Sequence, residues 1–244
     1  MAVATTQVPP TLRSVLGLPL RDRIQHPLYW SWIRFLAFGR VVPALLFAFM
    51  GWLQVGHLQQ VLGQGPLVVI PRLLYLAFCC IPVGLYLTRP MPLSRDGRLV
   101  ARAAAFGGTC MQLVIGAFVP THRLLFHPSE ELVAFSGLLS IAAFGFACIS
   151  LAYLRRNLSI IPEARKLVTG GPYRIARHPL YLAEITAAIA LLLAAPYLTP
   201  TIALVIFVTL QATRARLEER LLSETFPEYA DYARRTRRLV PFVW

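Results

Sequence analysis

Long stretches without an ionised side chain constrain this chain more than any other feature. Between Arg40 and Arg72 there is no Asp, Glu, Lys or Arg, only His57. Further gaps run from Arg72 to Arg89, from Arg102 to Arg123 and from Glu131 to Arg155, and the longest runs from Glu184 to Arg214. A hydrocarbon core ~30 Å thick is crossed by about 20 apolar residues in a helix, so each of the first four gaps suits one span. The second is short, and arginines snorkelling at its ends can extend it. Hydrophobic residues make up 57% of the 244 and charged residues 14%, against about 25% charged in an average soluble domain. Such a chain cannot cover a soluble surface, and it is too apolar to remain disordered.

The fifth gap is interrupted by Pro196-Tyr197-Leu198-Thr199-Pro200. A continuous helix across it would be about 43 Å long, and Pro200 would break its hydrogen-bond ladder. A tight helical hairpin is expected, roughly 179–195 out and 201–218 back, both limbs short. The expected fold is all-α: a polytopic membrane bundle of five to six helices, the lower count applying if the last span is one kinked helix. Residues 1–156 would form the N-terminal transmembrane helices. Residues 157–244 would form a C-terminal region with the hairpin and a tail.

The formal charge of +13 raises nucleic acid as a partner, but the placement of the charges argues against it. With a cytoplasmic N-terminus, all 24 Lys and Arg except Arg72 and Arg123 fall in inside segments, the asymmetry that the positive-inside rule expects. Both termini are then cytoplasmic, and the basic face lies beside anionic lipid. Tyr29, Trp30 and Trp32 read as an interfacial anchor, and the first residues lack a cleavable-signal layout. Cys79, Cys80, Cys110 and Cys148 sit in apolar stretches without metal-type spacing, so neither a disulfide framework nor a metal site is expected.

Two polar segments flank the hairpin, 157–181 and 214–239, and its limbs should bring them together at one membrane surface. In the first, Gly170-Gly171-Pro172 is a turn with a glycine free to take positive φ. His178-Pro179 reads as a helix start, with Tyr181 one turn in, near the positive end of the helix dipole. An ordinary juxtamembrane loop has the same composition. In the second, Arg214 and Glu218 stand at i, i+4, which is either a plain helical ion pair or a substrate-facing arginine beside a ligand-binding carboxylate. Phe226, Tyr229 and Tyr232 read more simply as a packing stripe. Glu184 and His57 are intramembrane polar residues, a costly placement that is often functional; His57 is read as neutral and hydrogen-bonded. His122, His127, Glu130 and Glu131 are read as an outer connection.

The run Leu167-Val168-Thr169-Gly170-Gly171-Pro172-Tyr173, then Arg177-His178-Pro179-Leu180-Tyr181, then Glu218-Glu219, Leu222, Phe226, Tyr229 and Tyr232 resembles isoprenylcysteine carboxyl methyltransferases. The broader group includes phospholipid N-methyltransferases. The resemblance covers roughly 157–242. It implies an integral membrane enzyme that uses S-adenosylmethionine on a lipophilic or prenylated substrate at the cytoplasmic face. It further implies that Lys166, Leu167, Val168, Tyr173, His178, Pro179, Leu180, Tyr181 and Glu218 bind the cofactor, and that Arg214 is the catalytic, substrate-contacting arginine. Arg165 stands where eukaryotic members often carry His. Ala183 and Pro227 depart from glycines common in the family, which bears on helix packing and loop shape rather than on the reaction class. No obligate protein partner is readable.

Methyl transfer to a carboxylate needs no strong base, whereas an amine acceptor would need one, with Glu184 or Glu219 as candidates. Competing readings are a membrane sterol or enoyl reductase that uses NADPH, which has a similar RHPxY stretch but is disfavoured by the Glu218-Glu219 pair, and a non-catalytic lipid-binding protein. A transporter is disfavoured because no paired repeats are found.

Overall fold

The computed structural model describes residues 12–117 and 124–239. His122 and Arg123, assigned above to the outer side, lie outside the described residues. Helices α1 (Leu12–Leu16), α2 (Leu20–Gln25) and α3 (Pro27–Arg34) precede a π-helical stretch, Phe35–Val41, that continues into α4 (Val42–Val61). From Pro27 to Val61 the chain is one apolar rod. The sequence continues with α5 (Pro66–Thr88), α6 (Leu99–Ala117), α7 (Glu130–Leu154), α8 (Pro179–Ala194), α9 (Leu198–Thr225) and the short α10 (Tyr229–Arg235). The Pro27–Val61 rod, α5, α7 and α9 are each long and apolar enough to cross a bilayer, while α6 and α8 contribute shorter apolar stretches. The protein is an all-α integral membrane bundle.

Helix α7 packs along α5 and α8, α4 along α5, and α6 along α9. Phe47, Met50, Phe78, Leu151 and Leu180 share the main buried cluster. Close approach of α7 to the first turn of α5 needs Gly137, where a Cβ would lie 2.8 Å from the Leu67 carbonyl oxygen. Ser129 caps α7 by accepting the Leu132 N–H at 3.2 Å, and Glu130 and Glu131 complement the helix dipole in its first turn.

Two span boundaries differ from those read off the charge gaps. Helix α5 begins at Pro66, after the Gly63-Gln64-Gly65 turn, and so takes in Arg72 within its 23 residues. The expected break in the fifth gap is present, since α8 ends at Ala194 and α9 starts at Leu198, but Pro200 falls inside the returning limb rather than before it. It lies in the first turn of α9, where backbone N–H groups have no intrahelical acceptor in any case. Helix α9 therefore runs for 28 residues, about 42 Å. Of the two hairpin helices expected to be short, only α8 is.

At the end of the bundle where α7 finishes and α8 starts, the chain folds back over the end of α5 and against α9. Strand β1 (Ser94–Arg95) pairs antiparallel with β2 (Glu163–Ala164), Ser94 facing Ala164 and Arg95 facing Glu163. The Glu163 side chain is only 1% exposed. It accepts from Arg95 at 2.6 Å, Arg165 at 2.5 Å and Ser159 at 2.7 Å, with Arg89 at 3.3 Å. Burial alone would raise the Glu163 pKa, but Arg165, Arg89 and Arg95 outweigh it and hold the carboxyl below its usual range.

Because the folded pKa lies below the unfolded one, this cluster stabilises the protein above the unfolded carboxyl pKa of ~4.3. That stability disappears as pH falls through the folded value. Glu163→Gln should cost about 3–5 kcal/mol at neutral pH, the range for breaking a buried pair and stranding its partners. Thermal unfolding in detergent at pH 7 and at about pH 3 checks both points: the variant should lose much of its stability at pH 7 and show a weaker loss on acidification than the wild type.

Candidate active site

The chain approaches α8 through a tight turn, Gly171–Arg174, in which Gly171 adopts φ +58. A Cβ at Gly171 would also run into the Tyr153 ring, whereas one at Gly170 would meet only ordinary contact at 4.0 Å. The positive φ and the close ring explain a glycine at this position. His178 is the residue before α8 and Pro179 its first helical residue, as a Pro at that position favours.

On α9, Glu218 and Glu219 meet Arg177, His178 and Tyr181 around the start of α8, while Gln211 and Arg214 lie further back along the same helix. Glu219 accepts from Arg177 Nε at 2.7 Å and from Arg238 Nη2 at 2.8 Å, and lies 3.2 Å from His178 Nε2. With its oxygens so engaged, it is poorly placed to accept a substrate proton. Glu218 accepts from the Tyr181 hydroxyl and sits 3.6 Å from His178 Nδ1. The His178 and Tyr181 rings stack 5.3 Å apart and nearly parallel, at 2°.

The tail closes over the same place. Arg177 N–H donates to the Arg237 carbonyl at 2.7 Å, and His178 N–H to that of Arg238 at 3.0 Å. The Tyr232 hydroxyl donates to the Tyr173 carbonyl at 2.7 Å. Burial, reinforced by Glu218 and Tyr232, keeps the Tyr173 phenol protonated well above its ordinary range.

Arg214 lies deeper, 6% exposed, with its guanidinium 4.7 Å from the Tyr181 ring centroid. Its Nη1 donates to Gln211 Oε1 at 2.8 Å and its Nη2 to the Ile160 carbonyl at 3.3 Å. The other end of the Gln211 amide donates to Glu184. Helix α6 leaves room for Arg214 at Gly108, where a Cβ would be 3.2 Å from Nη1. The bland alternative, an Arg214–Glu218 ion pair, is not what forms.

One cavity joins these groups. Lys166, Leu167, Val168, Tyr173, His178, Leu180, Tyr181, Glu218 and Arg214 all line it, as does Glu184. Pro179 does not; it is fully buried beneath the helix start. Sequence reasoning missed Phe47, Phe78 and Tyr86, which complete the wall from α4 and α5, because aromatic residues in an apolar span carry no mark of which face they occupy. It favoured a packing stripe for Tyr229 and Tyr232, and both line the cavity.

Residues 132–229 match the phospholipid methyltransferase family. That family is part of the membrane isoprenylcysteine and phospholipid methyltransferase group, and the match covers 98 of the 244 residues. It spans α8, α9 and the turn between Tyr153 and His178, so the matched region carries most of the cavity's polar wall. Among curated proteins, the chain is 40% identical over 133 residues to the cobalt-zinc-cadmium resistance protein CzcN of Cupriavidus metallidurans, covering 52% of this chain and 61% of that protein. It is 33% identical over 108 residues to the nickel-cobalt-cadmium resistance protein NccN of Alcaligenes xylosoxydans xylosoxydans, covering 43% and 51%. The matched stretches thus span between half and two thirds of these relatives. Among the described residues of this chain, no group of three or more His, Cys, Asp or Glu is placed to hold a metal ion.

Gly171→Ala should destabilise the family segment by about 1–3 kcal/mol, from strained backbone and the crowded Tyr153 ring. Gly170→Ala should leave stability nearly unchanged. Thermal unfolding of the two variants in the same detergent compares them directly.

Proposed function

We propose that the protein is an S-adenosylmethionine-dependent membrane methyltransferase. It acts at the cytoplasmic face on a lipophilic acceptor, and the reaction is O-methylation of a carboxylate, as in isoprenylcysteine carboxyl methyltransferases. The observation that carries this reading is the meeting of Tyr173, His178 and Tyr181 with Glu218 and Arg214 around one cavity, although the chain places them on opposite sides of a helical hairpin. The concentration of Lys and Arg in the segments at that end supports the cytoplasmic assignment.

The residues present fit such a cofactor. The Glu218 side chain is 23% exposed and its nearer contact to His178 is a long one, 3.6 Å, so it retains acceptor capacity for a hydroxyl or ammonium donor. Tyr173, Tyr181, Leu167 and Val168 offer aromatic and apolar walls for a purine, and Lys166 stands exposed at the rim. S-adenosylmethionine, when bound, supplies an electrophilic methyl group on a sulfonium.

An acceptor carboxylate is already anionic at neutral pH, so no side chain has to remove a proton. The protein's work is then to position the acceptor and exclude water. Positioning contributes ~7–11 kcal/mol in favourable cases. Arg214 is suited to orient the carboxylate because its guanidinium is held by Gln211 and Ile160 and cannot swing away.

A second reading, N-methylation of a phospholipid amine, has one observation in its favour. Glu184 is a carboxylate on the cavity wall, held by Gln211, and could take the proton that an amine must lose.

Titration of the purified protein with S-adenosylmethionine should give saturable heat and raise the unfolding temperature. A folded protein that shows neither rejects the proposal. Arg214→Lys, which keeps the charge but not the fork geometry, should reduce methyl transfer by about 10- to 100-fold and leave cofactor affinity largely intact. Equal loss of both would remove Arg214 from the acceptor side.

A further inference from the structure

We infer that the part of the cavity formed by Tyr86, Arg165 and Arg214 is a subsite for an oxyanion, a carboxylate or phosphate carried on an apolar chain. In terms of the function proposed above, this is the head group of the methyl acceptor, and to that extent the inference rests on that reading. Three polar atoms there, Tyr86 Oη, Arg165 Nη1 and Arg214 Nε, are buried and lack a hydrogen-bond partner among the described residues. Tyr86, Arg165 and Arg214 are 1%, 9% and 6% exposed, and all three line the cavity. Buried polar groups are almost always paired in native proteins, so several unused donors around one space point to something that fills it.

The chemistry of these donors selects an anion. Arg165 is fixed by the Pro90 carbonyl at 2.8 Å and by Glu163 at 2.5 Å. Arg214 is fixed by neutral groups alone, the Gln211 and Ile160 oxygens and the Tyr181 ring. Each guanidinium is therefore held still with a donor to spare, and Arg214, though within electrostatic reach of Glu218 and Glu184, makes no direct ion pair with a carboxylate among the described residues. A buried cation in that condition is costly unless an anion joins it.

The neighbouring surface selects an amphiphile. Phe78, Pro82 and Tyr86 stand at four-residue steps on α5 and all line the cavity, together with Phe47 of α4. They form a stripe about 12 Å long, apolar except for the hydroxyl at its end beside the arginines. A ligand with an oxyanion at Tyr86 and a hydrocarbon chain along Pro82 and Phe78 matches that order. The residues assigned to the cofactor lie instead on the 166–181 segment and at Glu218.

Octanoate, octyl phosphate and octanol can be titrated into the full-length protein in a neutral detergent, followed by calorimetry and by thermal unfolding. At least one anion should bind about tenfold or more tightly than the alcohol. Preference for octanoate identifies a carboxylate head and preference for octyl phosphate a phosphate head; either supports the subsite. Tyr86→Phe should weaken the anion by about tenfold, the size of one charge-assisted hydrogen bond. It should not lower the unfolding temperature without ligand, because its hydroxyl has no protein partner to lose. Its affinity for S-adenosylmethionine should match the wild type. Equal binding of all three amphiphiles, or an unchanged anion affinity in Tyr86→Phe, overturns the inference. So does a parallel loss of cofactor affinity, which would put the hydroxyl on the cofactor. A wild-type protein that binds the anion but never S-adenosylmethionine would retire the methyltransferase reading and leave the oxyanion subsite standing.

Discussion

A buried carboxylate must collect cations or hydrogen-bond donors, and Glu219 meets that requirement by drawing together three distant parts of the chain. It sits on α9, takes Arg177 and His178 from the entrance to α8, and takes Arg238 from the tail. These contacts hold the tail backbone against 177–178, where two main-chain hydrogen bonds form. With Glu219 committed to this clasp, its neighbour Glu218 is free to face Tyr181 and the cavity. One residue serves architecture and the next serves the site, one helical step apart.

A second clasp works in the same way on the other side of the cavity. Glu163 gathers Arg89, Arg95 and Arg165 and so fastens the segment after α7 to the end of α5. Between the two clasps lies the cavity, lined by Tyr173, His178 and Tyr181 together with Tyr86, Arg165 and Arg214. The clasps satisfy their own carboxylates, yet they leave particular donors unused. The polar atoms without partners are thus a product of how tightly the rest of the network is satisfied.

The spans were legible because the absence of charge over about 20 residues has few other meanings. The convergence of 157–181 with 214–239 was legible too, since a hairpin brings together whatever flanks it. The break near Pro200 was legible, but the returning limb was started three residues late, because a proline is accepted in a first turn and sequence alone did not locate the helix start. Arg72 misplaced the start of α5 because one arginine near an apolar end is tolerated inside a helix. Glu219 was read only as a candidate proton acceptor, because nothing in a Glu-Glu pair marks which carboxylate will meet Arg177, His178 and Arg238. Tyr86 was one aromatic among many in apolar helices.

Composition and order along the chain determined that this protein lives in a membrane, as helices, with its chemistry-bearing residues crowded around a terminal hairpin. Those properties follow from the transfer of apolar side chains and from backbone hydrogen bonding, both of which are local along the sequence. Which carboxylate clasps and which faces the cavity, and which donors are left over, emerged only from the packing of α4, α5, α6, α8 and α9 around one space. Such assignments depend on contacts between residues dozens to more than a hundred positions apart, and rotation of a helix by a single residue would exchange them.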